Sequence, residues 1–437
     1  FPVTTEINGG GAHLFLNNTL SDTVLVSGGV EGSRNQIVAP VILADTVVIS
    51  EKSTQDLALL GDIGLEHADR TIVNNMIGGK TLTIGGPGST IRLYEASNPA
   101  VGRMLSIKVY KDNSGSTAIN TVIAAAWDDK GSGGSVDLGA VNNNPNATFV
   151  MAQSQPSEAS VQINRQGYLL AADAGLGRGI LNVANNNNPN WGCEIRSNDD
   201  LRVLANSLIV AANNFAFAGD HNLTVSSTLT QRSNRVVGNN VAASKEVIFT
   251  GSESAPAIAI SERAIDGNRI WIMDGSGNSV VSGRVVNNLE ADASISGTIW
   301  KRGSGRLELS NPGNTIRGDI EVQGGLLAFG VNGAWGATSG IKISQGGGLS
   351  YAPGAKAPGF ATMISRIAAD SMGFLALPGS DADTDLNFTT ALSHVPYLSV
   401  AADGDLVYTG TVTPAPNIGY HWGGISGTLT LGRDASV

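Results

Sequence analysis

Residues 305–327 read Gly305-Arg-Leu-Glu-Leu-Ser-Asn-Pro-Gly-Asn-Thr-Ile-Arg-Gly-Asp-Ile-Glu-Val-Gln-Gly-Gly-Leu-Leu327. Two short runs in this stretch, Leu307-Glu-Leu309 and Ile320-Glu-Val322, alternate apolar and polar side chains. That period of two is typical of a strand with one buried face. Gly, Asn, Pro and Asp occupy the intervals, and these residues favour tight turns. The stretch therefore predicts short strands that are joined by turns.

The same alternation recurs along the whole chain, in Leu82-Thr-Ile84, Ile91-Arg-Leu93, Leu223-Thr-Val225, Ile341-Lys-Ile343 and Leu429-Thr-Leu431. Helical periodicity is nearly absent. The best candidate is the segment 361–370, where Met363, Ile364 and Ile367 share one side, and it is either one short helix or a covering loop. These patterns predict an all-β protein.

Apolar positions in the C-terminal third repeat at intervals of about one coil of a β-solenoid. Leu307 and Leu326 are 19 positions apart, Ile320 and Ile341 are 21 apart, and Leu326 and Leu349 are 23 apart. Such a period predicts coils that stack at about 4.8 Å, with inward side chains in continuous ladders. We expect a right-handed parallel β-solenoid (β-helix) with loop insertions. A β-sandwich or jelly-roll also has short strands and frequent turns, and it is the alternative.

The segment Ser296–Leu327 resembles the autotransporter-associated β-strand repeat. The matching positions are Gly305, Leu307, Leu309, Asn314, Thr315, Gly318, Ile320, Val322, Gly324, Gly325 and Leu327. Ile316 stands where that family usually has an aromatic residue. The resemblance implies a secreted or surface-displayed bacterial β-helix, in a passenger region or a repetitive cell-surface protein, and it implies no catalytic activity.

Composition excludes several classes of protein. The 437 residues include 27 Lys and Arg against 37 Asp and Glu, a formal net charge of −10, and this acidic balance argues against nucleic-acid binding. The single cysteine, Cys193, excludes a disulfide framework and cysteine-rich metal sites. No apolar run approaches the roughly 18 residues of a membrane-spanning helix, so no membrane-spanning segment is expected. Few cysteines and low charge fit an exported bacterial protein.

The repetition divides the chain into three predicted parts: N-terminal solenoid coils over 1–97, irregular coils or an inserted lobe over 98–217, and C-terminal solenoid repeats over 218–437. The start at Phe1 fits a processed N-terminus or a piece excised from a longer chain, and the strand pattern before Val437 is expected to continue past it. The Asn-rich stretches 142–145 and 185–191 are interpreted as exposed turns, with a carbohydrate-contacting surface that includes Trp191 as the alternative.

The sharpest candidate for chemistry is the acidic segment Asp381-Ala-Asp383-Thr-Asp385-Leu-Asn387. In an extended chain, Asp381, Asp383, Asp385 and Asn387 share one face because side chains alternate. Calcium takes six to eight oxygen ligands, so this spacing predicts a calcium site as the one cofactor hypothesis. The segment lacks the Gly and Glu positions of an EF-hand loop, and a solvated acidic loop is the alternative.

Other reactive side chains form no recognisable catalytic motif. The five histidines are far apart in sequence: His13, His67, His221, His394 and His421. The doublets Asp128/Asp129 and Asp199/Asp200 place adjacent carboxylates on opposite faces of a strand, and we interpret both as surface turns. Cys193 has no evident activating partner and is interpreted as a small buried residue.

Two functional hypotheses follow. The first is an extracellular structural or adhesive repeat protein of a bacterial cell surface that assembles as a homo-oligomer into a layer, fibre or stalk. The second is a polysaccharide-binding or polysaccharide-degrading β-helix protein whose partner is a cell-surface glycan. The second hypothesis needs convergent carboxylates, a basic residue and aromatic platforms.

Overall fold

The computed structural model describes residues 6–7, 14–16, 23–25, 34–50, 53, 55–76, 79–95, 97–109, 119–140, 147–164, 166–184, 192–212, 214–351 and 354–432. These residues form 44 strands, one α-helix and two short 3-10 helices, so the all-β prediction is confirmed. The chain divides into two compact units, Phe1–Leu223 and Thr224–Val437. The Asn-rich stretches 142–145 and 185–191, with Trp191, and the residues up to Val437 after 432 lie outside the described residues.

The described strands of the first unit are β1 Glu6–Ile7, β2 Leu14–Leu16, β3 Thr23–Leu25, β4 Arg34–Ile37, β5 Val41–Leu43, β6 Val47–Ile49, β7 Asp56–Leu59, β8 Ile63–Leu65, β9 Arg70–Asn74, β10 Thr81–Ile84, β11 Thr90–Glu95, β12 Asn98–Gly102, β13 Met104–Val109, β14 Ile119–Ile123, β15 Ala126–Asp128, β16 Ser135–Ala140, β17 Ala147–Met151, β18 Ser160–Ile163, β19 Gly167–Leu170, β20 Ile180–Val183, β21 Cys193–Ser197, β22 Val203–Leu204, β23 Ser207–Val210 and β24 Asn214–Gly219.

The first unit contains three sheets, and successive members of each sheet are two to four strands apart in the chain. Sheet A runs β1-β4-β7-β10-β14-β17-β19-β21-β24, sheet B runs β2-β5-β8-β11, and sheet C runs β3-β6-β9-β13-β16-β18-β20-β23. β15 also pairs with β11 in parallel, whereas β12 folds back on β11 as an antiparallel strand. Successive strands of one sheet belong to successive coils, and this is the topology of a parallel β-solenoid.

In-register pairing produces the apolar ladders that the sequence predicts. One ladder of sheet A consists of Ile37, Leu59, Ile84, Ile123, Met151 and Leu170. All six side chains are buried. Burial of a side chain of this size contributes roughly 1.5–3 kcal/mol, so each coil is stabilised by the coils on either side of it.

The region 98–217, predicted as irregular coils or an inserted lobe, contains β12–β24. Its strands pair with each other and with the coils before them: β13 lies between β9 and β16, and β14 lies between β10 and β17. The three-part division of the chain stays a prediction.

The strands of the second unit are β25 Leu223–Val225 at the junction of the units, β26 Leu229–Gln231, β27 Arg235–Val241, β28 Glu246–Phe249, β29 Ile258–Ser261, β30 Ile270–Asp274, β31 Asn278–Val281, β32 Val285–Asn288, β33 Thr298–Lys301, β34 Arg306–Leu309, β35 Ile320–Val322, β36 Gly325–Phe329, β37 Ile341–Ile343, β38 Gly347–Tyr351, β39 Phe374–Leu377, β40 Leu386–Asn387, β41 Ser399–Ala402, β42 Leu406–Tyr408, β43 Val412–Thr413 and β44 Leu429–Leu431. Its helices are α1 Phe360–Ile364 and the 3-10 helices Ala264–Asp266 and Gly379–Asp381.

Parallel sheets also build the second unit. Sheet D runs β27-β30-β33-β35-β37, sheet E runs β26-β29-β32, and sheet F runs β28-β31-β34-β36-β38-β39-β41. Two further parallel pairs join β40 to β43 and β42 to β44. Beyond β32, the coils continue sheet E as irregular rungs, since Thr315 donates its N–H to the carbonyl of Val285 and Ala337 to that of Ile316.

The parallel β-solenoid is therefore confirmed, and the sandwich alternative, which requires antiparallel sheets, is not what the chain adopts. The right-handed sense of the coil stays a prediction. All seven alternating runs quoted from the sequence lie within strands.

The predicted register is right in one place and wrong by one residue in another. Ile320 pairs with Ile341 as expected. Leu307, however, pairs with Leu327 rather than Leu326, and Leu327 pairs with Leu349. A slip of one residue moves a side chain to the opposite face of the sheet. Leu327 therefore belongs to the inner ladder, and Leu326 points to the outer face.

The sequence pattern does not distinguish Leu326 from an inner residue, because Leu326 is apolar and as buried as an inner residue. Both faces of β36 and β38 are shielded, and Leu326 is only 1% exposed. The side chain of Ile425 covers this outer face: a Cβ placed on Gly348 would lie 3.0 Å from Ile425 Cγ1 and 3.2 Å from Leu326 Cδ1.

The segment 361–370 overlaps the only α-helix among the described residues, which begins at Phe360 and is shorter than the apolar pattern. α1 ends at Ile364, and Met363 and Ile364 are buried. Ile367 is also buried, but it forms a parallel bridge with Ile341. It therefore extends sheet D as a rung after the helix has ended.

Candidate functional site

The acidic segment 381–387 lies where the second unit turns from a 3-10 helix into β40. Gly379–Asp381 is the 3-10 helix, and Asp383 follows in a turn. Only Leu386 and Asn387 at the end of the segment are in a strand. The alternation of an extended chain therefore does not hold over residues 381–383.

Asp381 is a buried carboxylate that ties its coil to the previous one. Its two carboxylate oxygens accept the backbone N–H of Ala355 at 2.9 and 2.7 Å, and the hydroxyl of Thr384 lies 3.4 Å from Oδ1. Burial raises the pKa of Asp381, and the bond from Ala355 opposes that rise.

The other three side chains of the segment have partners of their own. Asp383 is exposed and pairs with Lys356 Nζ at 2.7 Å, a bond that lowers the pKa of Asp383 and raises that of Lys356. Asp385 Oδ1 accepts the N–H of Thr411 at 2.7 Å. Asn387 Oδ1 accepts the N–H and hydroxyl of Thr389 at 2.8 and 2.7 Å, as in an Asx turn.

These four side chains, as placed, do not form a calcium shell, because each faces a different protein partner. No group of three or more His, Cys, Asp or Glu side chains within the described ranges is arranged to hold a metal ion. The calcium hypothesis for Asp381, Asp383, Asp385 and Asn387 stays a prediction.

A cavity of about 530 Å³ lies between α1 and the turn that follows β40. Its lining is apolar, with Ala355, Phe360, Ala361, Ile364, Leu386, Ala391 and Leu392, and carries the polar residues Ser365, Asp385, Asn387 and His394. The ring of His394 is fixed by Nε2, which lies 3.0 Å from the carbonyl oxygen of Ile364. The volume is within the range of small-molecule pockets, roughly 300–1,000 Å³.

The Asn of the repeat-like segment 296–327 connects neighbouring coils. Asn314 is buried, and its Oδ1 accepts the N–H of Val285 at 2.8 Å from the preceding coil. Its Nδ2 donates to the carbonyl of Ala334 at 2.7 Å in the following coil. A single amide side chain thus joins three successive coils, because it is both a donor and an acceptor.

Two glycines of the same segment permit close approach between coils. A Cβ on Gly305 would overlap the carbonyl oxygen of Gly277 one coil earlier. Gly325 has a φ of 61°, in the left-handed region that favours glycine, and a Cβ there would lie 2.5 Å from the carbonyl oxygens of Gly303 and Gly305.

Lys301, in the same segment, is a buried amine enclosed by backbone carbonyls. It is only 2% exposed, and Nζ donates to the carbonyl oxygens of Arg302, Gly303 (3.0 Å) and Gly324 (3.2 Å). Burial lowers the pKa of Lys301 from 10.5 to about 8, and the charge of Asp274 opposes that decrease. This amine links two adjacent coils.

A recurring contact at strand starts was missed by the sequence reasoning. In an inter-coil Asx bond, an Asp or Asn oxygen accepts the backbone N–H of a residue in the next coil. Eleven such bonds join the described coils, from Asp56 to Thr81, Asp62 to Thr90, Asp69 to Met104, Asp173 to Val203, Asp200 to Asn222, Asn234 to Ile270, Asn268 to Ser296, Asn278 to Arg306, Asn287 to Arg317, Asp385 to Thr411 and Asp405 to Thr428.

The sequence does carry a signal for these bonds. Asp56 begins β7, Asp62 immediately precedes β8, and Asp405 immediately precedes β42. An Asp or Asn at the start of an alternating run satisfies a backbone donor, as it does at a helix N-terminus. Part of the acidic composition is therefore used to connect coils.

The histidines and the cysteine do not converge on a reactive centre in the described ranges. His67 lies beside Glu66 and Glu95, with Nε2 and Nδ1 at 3.1 and 3.3 Å from their carboxylates. His221 Nδ1 is 3.4 Å from Asp200 Oδ1. His13 lies outside the described residues. Cys193 is buried, and burial raises the pKa of its thiol, which makes it a poor nucleophile.

The aspartate doublets are held by separate partners. Asp128 Oδ2 accepts the hydroxyl of Tyr94 at 3.2 Å, and Asp129 Oδ1 accepts that of Ser157 at 3.0 Å. Asp199 Oδ1 accepts the N–H of Leu201 in a local turn, whereas Asp200 Oδ1 accepts the N–H of Asn222 in the next coil.

The tryptophans are divided between the core and the surface. Trp127, Trp271 and Trp335 are buried, whereas Trp300 and Trp422 are half-buried.

Comparison of the chain with protein-family models, with curated proteins and with solved structures found no match. In the described part of the chain, the helices are too short to cross a bilayer.

Proposed function

We propose that this chain is an extracellular structural or adhesive repeat protein of a bacterial cell surface, and that its coils form part of a layer, fibre or stalk. The observation that carries the proposal is the use of side chains for contacts between coils. Ladders, inter-coil Asx bonds, Asn314 and Lys301 all connect one coil to its neighbours.

The resemblance of 296–327 to an autotransporter-associated repeat supports the same proposal. Its Asn bridges three coils, and Gly305 and Gly325 stand where a side chain would collide with the neighbouring coil. The repeat residues therefore allow successive coils to stack, as a layer, fibre or stalk made of coils requires.

Self-association is supported by apolar side chains that are exposed on the described strands. Leu429 and Leu431 of β44 stack on Leu406 and Tyr408 of β42. Tyr408 is fully buried, whereas Leu431 is 43% exposed. Exposed apolar surface of this kind favours contact with a further chain.

Electron microscopy of the full chain, combined with sedimentation over a range of concentrations, tests the assembly. We expect end-to-end fibres or ordered sheets that grow with concentration, and isolated monomers at every concentration would contradict the assembly. Antibody labelling of intact producing bacteria tests the location separately, and labelling only after lysis would contradict it.

The alternative function, polysaccharide binding, is supported by a groove that contains Arg284, Arg317 and Asp292.

A further inference from the structure

A groove of about 270 Å³ lies beside β32 in the second unit. Its lining comes from three coils and includes Arg284, Asn287, Asn288, Leu289, Asp292 and Arg317. The volume is below the usual range for drug-sized ligands, so it suits a ligand of about one sugar ring. Nothing in the proposed structural role requires this groove.

Two guanidinium groups provide the positive charge of the groove. Arg284 is exposed, and its guanidinium has no hydrogen-bond or ion-pair partner among the described residues. Arg317 is half-buried, and its Nη1 donates to the carbonyl oxygens of Asp292 (3.3 Å) and Ile295 (3.4 Å). Arginine presents several donors in a planar fork that matches a carboxylate, so the groove is suited to an anionic group.

Buried amides hold the walls of the groove in place. Asn288 Nδ2 donates to the carbonyl of Asp292 at 3.1 Å, and its Oδ1 accepts the N–H of Asp292 at 3.0 Å. Asn287 Oδ1 accepts the N–H groups of Gly297 (2.9 Å) and Arg317 (3.1 Å), and its Nδ2 donates to the carbonyl of Thr315. Both amides are 3% exposed, so a ligand meets walls that are already ordered.

One carboxylate shares the groove with the two arginines. Asp292 Oδ1 accepts the N–H and hydroxyl of Ser294, both at 2.7 Å. These bonds lower the pKa of Asp292, so the group is ionised at neutral pH. An ionised carboxylate repels a simple anion but accepts hydrogen bonds from hydroxyl groups.

The apolar part of the groove is small and exposed. Val286 is half-buried on β32, and Leu289 is 47% exposed on the loop that follows it. These side chains provide a surface for the C–H face of a ring, beside the charged groups.

We propose that this groove binds a single acidic sugar residue, a uronic acid unit of a polysaccharide. Arg284, with Arg317 beside it, pairs with the carboxylate, Asp292 accepts hydroxyl protons, and Leu289 and Val286 contact the ring. Two cations and one anion together favour a ligand that carries both a carboxylate and hydroxyl groups. A simple anion would satisfy only the arginines, and a neutral sugar would leave them without a counter-charge.

Calorimetric or NMR titration of the full chain with glucuronate, glucose and acetate tests this proposal. We expect saturable glucuronate binding, with glucose and acetate at least tenfold weaker. Arg284→Gln should weaken glucuronate binding at least tenfold, or about 1.4 kcal/mol, and Arg284→Lys should fall between the two. Arg263→Gln is the matched control, because Arg263 is exposed in the same unit and does not line the groove.

The circular dichroism spectrum and melting temperature of each variant establish that it is folded. If Arg284→Gln is unfolded, glucuronate binding by the native chain is measured at several NaCl concentrations instead. The affinity for glucuronate should fall as the NaCl concentration is raised. Three results would each overturn the proposal: no saturable glucuronate binding, equal binding of all three probes, or unchanged binding by a folded Arg284→Gln. None of these results bears on assembly or location, so the structural proposal is judged separately.

Discussion

Replacement of Asn314 by Ala removes the amide that joins three coils. Asn314 is 6% exposed, and its two bonds, to the N–H of Val285 at 2.8 Å and the carbonyl of Ala334 at 2.7 Å, have no substitute in alanine. A buried backbone group left without a partner costs about 1–3 kcal/mol. Loss of both bonds should therefore destabilise the second unit by about 2–6 kcal/mol.

Two measurements check this expectation. For a unit of this size, each kcal/mol corresponds to about 2–4 °C, so calorimetry should show a fall in melting temperature of several degrees or more. Hydrogen exchange provides a local measurement, because the amide of Val285 should lose protection when its acceptor is removed. The matched control is Asn240→Ala at an exposed position, which should change stability by less than about 0.5 kcal/mol.

If the Asn314→Ala variant melted at the same temperature as the wild type, and if Val285 kept its exchange protection, Asn314 would not be the group that joins these coils. That result would mean that water or a shifted backbone replaces the amide. Asn314→Asp adds a second check, because a carboxylate accepts from Val285 but, when ionised, cannot donate to Ala334. Its stability should therefore improve as the pH falls and the carboxyl gains a proton.

Three further predictions concern the ladder, the buried amine and calcium. Leu327→Ala should lower the free energy of unfolding by about 2–5 kcal/mol, because Leu327 is fully buried. Val407→Ala, at a position that is 57% exposed, should change it little. Equal effects of the two substitutions in denaturant unfolding would contradict the ladder. Burial lowers the pKa of Lys301 from 10.5 to about 8 in the folded chain, so the unfolded chain binds more protons between these two pH values. The free energy of unfolding of the wild type, relative to Lys301→Met, should therefore rise by on the order of 3 kcal/mol as the pH is raised across this window. A difference that does not depend on pH would rule this out. The calcium hypothesis expects calcium to raise the melting temperature and Asp383→Asn to abolish the rise; a melting temperature unaffected by calcium would contradict it.

The coil architecture was predictable because its signal is local and repeated. Alternation in runs such as Ile320-Glu-Val322 identifies a strand, and the 21 positions between Ile320 and Ile341 identify one coil. The register at Leu326 and Leu327 was not predictable from apolarity, since both are leucines and both are buried. The choice between them depends on Ile425, which covers the outer face from about a hundred residues away in the sequence.

The candidate sites were less predictable than the coils. Asp381 and Asp383 are close in sequence, but one is buried against Ala355 and the other is exposed beside Lys356, because a 3-10 helix and a turn replace the expected strand. The groove at Arg284 has no sequence motif, since its lining comes from three coils. Sequence spacing cannot report that kind of proximity without the register of every intervening strand.

The inter-coil Asx bonds give the stack a polarity. In eleven of them the oxygen belongs to the earlier coil and the N–H to the later one, as with Asp56 and Thr81 or Asp405 and Thr428. The bonds of Asn314 with Val285 and of Asp381 with Ala355 have the opposite sense. Loss of a later coil would therefore leave mainly Asp and Asn oxygens without these partners, whereas loss of an earlier coil would leave mainly backbone N–H groups. The two sides of a coil that carries such a bond are therefore chemically different, because one side contributes side-chain acceptors and the other contributes backbone donors.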